Sequence, residues 1–143
     1  MPIARLNRGI LQLLADNRVH EAAVLLKHKH WTGAYYLTGL GVECALKACL
    51  ARAVERHDFP DKSFINRAYS HKLEDLAKLD AELWVALNDE IRLDATLKNN
   101  WSTVRQWDDE QRYALVEEAS AVSLHEAVAE PISGFLGWIR RRW

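Results

Sequence analysis

Breakers are scarce in this chain: three Pro and six Gly among 143 residues. Long helices therefore meet few interruptions. No Asn-Gly or Asp-Gly pair occurs, and no stretch alternates apolar and polar residues, so hairpins and strands have no local support. Cysteine is nearly absent. Cys44 and Cys49 lie five apart, about 500° of helical rotation, and point away from each other. That spacing suits neither a zinc site nor a redox dithiol. Both read as reduced, small apolar residues, which implies a cytoplasmic setting. The first residues show no apolar leader, and no run of 18 apolar residues exists, so no membrane contact is expected. The net charge of −1 and pI of about 6.6 supply no global field toward nucleic acid or anionic lipid. A local basic patch remains compatible with them. No Gly-rich phosphate loop, nucleophile elbow or acidic metal cluster is found, and no cofactor is expected.

Helix formers fill the space these absences leave. The hydrophobic fraction of 49% and the length fit one globular domain over residues 1–143. Apolar stripes predict helices at 5–15 and 18–28, with Asp16-Asn17 as a break or cap between them. Residues 31–55 are apolar on nearly every side, which predicts a long helix buried by its neighbours. Gly33, Gly39 and Gly41 within it each cost roughly 1 kcal/mol against alanine, so close approach of another helix, or of another subunit, is expected there. Pro60 ends this helix, and the segment up to Ser70 reads as the longest loop. Ser70 reads as the cap of a helix near 71–79, followed by helices at 81–97, 110–130 and 132–142. Trp101 to Asp108 reads as an ordered loop. The expected architecture is all-α: an up-and-down bundle of about five to seven helices around the 31–55 helix.

Polar residues that interrupt these apolar patterns are the candidate sites. Glu43 and Lys47 are four apart in the favoured order for a helical ion pair. They serve either as a partly buried structural pair or as a polar pair facing a cleft. Arg67 and His71 flank one short segment. An imidazole that moves protons beside a guanidinium that holds phosphate is a metal-free way to cleave RNA. The plainer alternative makes His71 a helix start and Arg67 a loop cation. Six histidines are present, but none is accompanied by a spaced ligand set, and no metal is expected. Trp101, Trp107, Trp138 and Trp143 beside Arg105, Arg112 and Arg140 to Arg142 read as a packing cluster, with base stacking and phosphate contact as the alternative.

Ala34-Tyr35-Tyr36-Leu37-Thr38-Gly39, followed by Val42-Glu43-Cys44-Ala45-Leu46-Lys47-Ala48, resembles the second long helix of HEPN domains. His71-Lys72-Leu73-Glu74-Asp75-Leu76 is similar to that family's His-x-Leu-x-x-Leu helix start. Arg112-Tyr113 is similar to an Arg-Tyr pair that many members carry late in the chain. The resemblance implies a helical bundle, commonly a homodimer, in prokaryotic stress, toxin–antitoxin or phage-defence settings, often beside a small nucleotidyltransferase. Active members are metal-independent ribonucleases in which four to six residues separate an Arg from the following His. Here the first His after Arg112 is His125, and Arg67 to His71 is too close and too early. The expectation is therefore a non-catalytic HEPN-like module that binds nucleotide, RNA or a partner protein. Its cleft would hold Glu43, Lys47, Arg112 and Tyr113, with His71 nearby. The alternatives are an atypical ribonuclease using Arg67 and His71, and an oligomerisation protein without a small ligand.

Overall fold

The structure, a computed structural model, describes residues 5–54 and 56–143. Every regular element among them is helical. The elements are α1 (Arg8–Lys27), α2 (Trp31–Ala53), α3 (Lys62–Ala68), α4 (Leu73–Leu79), α5 (Ala81–Ile91), α6 (Ala95–Val104), a 3-10 turn (Asp109–Tyr113), α7 (Glu118–Ala129) and α8 (Phe135–Arg140). Glu55, the last residue of the span expected to be helical, lies outside the described residues, as do residues 1–4.

α1 and α2 form an antiparallel hairpin with a tight joint. Lys29 takes a positive φ of 63°, its N–H donates to the Leu26 carbonyl, and the His30 N–H donates to the Leu25 carbonyl. This is a Schellman cap on α1, and it reverses the chain directly into α2. α2 then packs against α1, α4, α7, α8 and the 3-10 turn. The crossing with α1 is closest at Gly41, where a Cβ would lie 2.7 Å from Val19 Cγ2 and 3.1 Å from the Ala15 carbonyl. Gly39 is small for a different reason. A Cβ there would collide with the indole ring of Trp107. Gly33 meets only the Leu25 side chain. Of the three glycines expected to admit another backbone, Gly41 does so.

The described residues hold eight α-helices, against an expectation of about five to seven. Aspartate caps account for the difference. The Asp61 side chain accepts from the Phe64 N–H and opens α3 inside the expected loop. Asp94 accepts from the Leu97 N–H and divides the expected 81–97 helix into α5 and α6. α6 then runs on to Val104, so Trp101 begins no loop. Asp108 accepts from the Glu110 N–H and opens the 3-10 turn, after which no helix forms until α7 begins at Glu118. Each cap satisfies backbone donors that a helix start leaves orphaned. Asp16 and Asn17 break nothing: α1 runs through both. Ser70 accepts from the Lys72 N–H as a local turn, and α4 begins later, at Leu73.

A buried cluster joins α2 to the last third of the chain. Trp101 stacks on Phe135 with ring centroids 4.9 Å apart, and Phe135 stacks on Trp138 at 5.7 Å. The C-terminus is fastened across the molecule. Gln12 Nε2 donates to the Trp143 carbonyl at 2.9 Å, Arg140 pairs with Asp16, Arg142 Nη2 pairs with Glu90 at 2.6 Å, and Arg52 Nη1 donates to the Arg142 carbonyl at 2.7 Å. Among the described residues, no helix is long and apolar enough to cross a membrane.

Candidate functional site

One stripe of α2 departs from its apolar character. Tyr36, Gly39, Glu43 and Lys47 follow at intervals of three or four residues and so share a helix face. From Tyr36 to Lys47 the stripe covers roughly 16 Å of helix axis. Three other parts of the chain close on it: the start of α4, the segment after α6, and the 3-10 turn.

At the α4 end lies a buried carboxylate. Glu43 is 4% exposed. Its Oε1 accepts from Lys47 Nζ at 2.8 Å and from His71 Nδ1 at 3.0 Å. An ionised carboxylate only accepts, so this bond places the ring proton on Nδ1. Nε2 carries no hydrogen bond among the described residues, and the His71 side chain is half exposed. Lys47 balances the charge of Glu43. Glu43 Oε2 is buried with no hydrogen-bond partner among the described residues.

In the middle sits Trp107, 1% exposed, over Gly39. Its ring lies 6.0 Å from Tyr36, and its Nε1 is the other buried polar atom without a partner among the described residues. Two residues earlier, Arg105 pairs with Glu74 at 3.2 Å, and Glu74 also pairs with Lys78. At the far end, the Val116 N–H donates to Thr32 Oγ1 at 3.0 Å and ties the chain after the 3-10 turn to the first turn of α2. Arg112 lies over the Tyr113 ring at 4.9 Å and pairs with Asp109 at 3.9 Å. Both Arg112 and Tyr113 are exposed. Tyr113 chiefly, with Asp109 and Tyr36, holds the Arg112 guanidinium above its ordinary proton affinity. The 3-10 turn that carries Arg112 packs on α2.

The structure brings Glu43, Lys47 and His71 into direct contact, while Arg112 and Tyr113 lie on the 3-10 turn, which packs on the same helix. Arg67 is not joined to His71. It lies exposed on α3, and its guanidinium has no ion pair among the described residues. Tyr36 belongs to the site without having been singled out for it in the sequence, and Trp107 and Arg105 were read there only within the tryptophan–arginine cluster. Tyr36 carried a signal, since it lies seven residues before Glu43 and so on the same face. Trp107 carried none, because its position follows from the path of the chain after α6.

Other sequence candidates are engaged elsewhere. Trp101 and Trp138 are buried and present no face to a base. Arg140 and Arg142 are held by Asp16 and Glu90. A separate depression of about 530 Å³ lies between α2 and α5, lined by Cys49, Arg52, Leu79, Asp80, Leu83 and Arg142 among others. Burial pushes the Cys49 thiol up to about 12, which removes it as a nucleophile. Neither cysteine is paired. Among the described residues, no three His, Cys, Asp or Glu side chains converge to hold a metal ion. Comparisons with family models, with curated proteins and with solved structures return no match.

Proposed function

We propose that this chain is a non-catalytic HEPN-like module, an up-and-down helical bundle around α2, that binds a phosphate-bearing ligand, RNA or nucleotide, along the polar stripe of α2. The observation that carries the reading is the contact of Lys47 and His71 with buried Glu43 on the face of α2 that also carries Tyr36, with the 3-10 turn of Arg112 and Tyr113 packed on the same helix. Basic side chains beside aromatic faces suit a chain of phosphates and bases. A neutral Glu43–Lys47 pair fixes His71 in place without adding negative charge to the face. The module acts as a cytoplasmic homodimer in a prokaryotic stress, defence or toxin–antitoxin system, with a small nucleotidyltransferase as partner. The cytoplasmic setting rests on the reading of Cys44 and Cys49 as reduced, and the other assignments rest on the sequence resemblance.

The test is binding of a labelled oligoribonucleotide and of ATP to the purified chain. Binding is expected to weaken about fivefold to tenfold in Arg112→Gln and in Lys47→Gln, with the RNA recovered intact. Unchanged affinity in both variants refutes the stripe. One observation favours a second reading, an atypical ribonuclease. His71 has Nδ1 held by a carboxylate and Nε2 unbonded, the arrangement of an oriented general base. Arg67 would supply the phosphate contact. RNA cleavage that disappears in His71→Ala selects that reading over binding alone. If the protein binds neither RNA nor nucleotide and only self-associates, it is an oligomerisation protein.

A further inference from the structure

None of the residues of α3 is buried, and the helix packs mainly against α4. Around it, Phe59 is 99% exposed, Tyr69 is 72% exposed, and Ile65 is also exposed. A phenyl ring gains nothing from water, and three large apolar side chains within eleven residues exceed ordinary scatter. The same segment is basic. Residues 56–72 hold Arg56, Lys62, Arg67 and Lys72 against Asp58 and Asp61, whereas the whole chain carries −1. Among the described residues, Lys62, Arg67 and Lys72 form no ion pair. The segment ends beside His71, whose Nδ1 is bonded to Glu43, so it leads directly into the polar stripe of α2.

We infer that residues 56–72 form a second binding element, an arm that holds single-stranded nucleic acid by stacking bases on Phe59 and Tyr69 while Lys62, Arg67 and Lys72 contact phosphates. The inference rests on the ligand class proposed for the stripe and extends that site to residues it did not include. Stacking tolerates any base, and the cations supply attraction that does not depend on sequence. The two rings bracket α3, whose seven residues span roughly 10 Å, so they serve bases that are not adjacent. A second copy of the chain is the rival occupant, since residues 108–118 are acidic and carry exposed Tyr113 and Leu115. Phe59, Ile65 and Tyr69 together offer roughly 400 Å², about half of the ~800 Å² a standard interface takes from each partner. Asp109 is also already engaged by Arg112. The polyanion is the better fit.

The experiment is fluorescence anisotropy of the full chain with a labelled single-stranded oligouridylate, with a blunt RNA duplex of equal length, and with ATP. Phe59→Ala and Tyr69→Ala are each expected to weaken oligouridylate binding about tenfold, with Tyr69→Phe near wild type. The duplex is expected to bind at least tenfold more weakly. The double variant Lys62→Gln, Arg67→Gln is expected to flatten the salt dependence. These positions are exposed, and thermal melts followed by circular dichroism verify that each variant folds. If neither aromatic substitution changes affinity while Lys47→Gln does, the arm is refuted and the stripe stands. ATP binding without oligonucleotide binding likewise removes the arm and leaves the stripe. Binding of neither probe refutes both. If light scattering shows that Phe59→Ala turns a dimer into a monomer, the patch belongs to a second copy and the arm is refuted.

Discussion

Glu43 concentrates the unusual electrostatics of the molecule in one side chain. Its Oε1 serves two donors while its Oε2 is buried without one among the described residues. Removing it leaves the Lys47 ammonium on an apolar helix with no counter-charge, and a buried pair that loses one member is worse off than a pair replaced altogether. Glu43→Ala is therefore expected to lower unfolding stability by about 2–4 kcal/mol. Glu43→Gln, which keeps the shape and one acceptor, is expected to lower it by about 1–2 kcal/mol. Urea denaturation of the three proteins measures this. A Glu43→Ala variant as stable as wild type contradicts the account of the cluster as part of the folded core.

Among the elements, α2 combines two roles through the choice of its glycines. Gly41 admits α1, and Gly39 admits an indole. A methyl group at Gly39 displaces Trp107, which is rigid and enclosed, so Gly39→Ala is expected to cost about 1–3 kcal/mol despite alanine's better helix propensity. Thermal melting checks the sign, and a stabilised variant overturns the packing described for Trp107. α7 docks on α1 with His125 between them. His125 Nε2 lies 3.4 Å from the Val19 carbonyl, and burial lowers its pKa below the ordinary value of 6.5. The unfolded chain therefore takes up a proton at a higher pH than the folded one. His125 leaves stability untouched above pH 6.5 and subtracts from it as the pH falls below that value. His125→Gln is expected to show a shallower loss of melting temperature between neutral and mildly acidic pH. Parallel pH profiles of the two proteins exclude this contribution.

At the scale of the whole molecule, helical class and the long second helix were legible from residue spacing. All-round apolarity of residues 31–55 marks burial whatever the neighbours are. The Glu43–Lys47 pair was legible because it is local to one helix. The bond from His71 to Glu43 was not, because it spans 28 residues and depends on where α4 begins. The boundary at Asp94 was open to reading as a cap but was obscured by the apolar periodicity that continues across it, whereas Asp61 and Asp108 lay in segments read as loops. Leu93 illustrates this: it extends the stripe of α5 in sequence yet lies exposed in the turn before α6. Trp107 reaches Gly39 through tertiary packing alone, and no local pattern encodes that.

The fastening of the last residues to α1 has a kinetic corollary. Arg140–Asp16 and Gln12–Trp143 close loops of 124 and 131 residues, whereas the α1–α2 hairpin closes through a three-residue joint. Closing a long loop gives up more chain entropy than closing a short one, and it yields little until the intervening helices have formed. Assembly is therefore expected to run from the hairpin outward, with the C-terminal turn the last piece to settle and the first to detach.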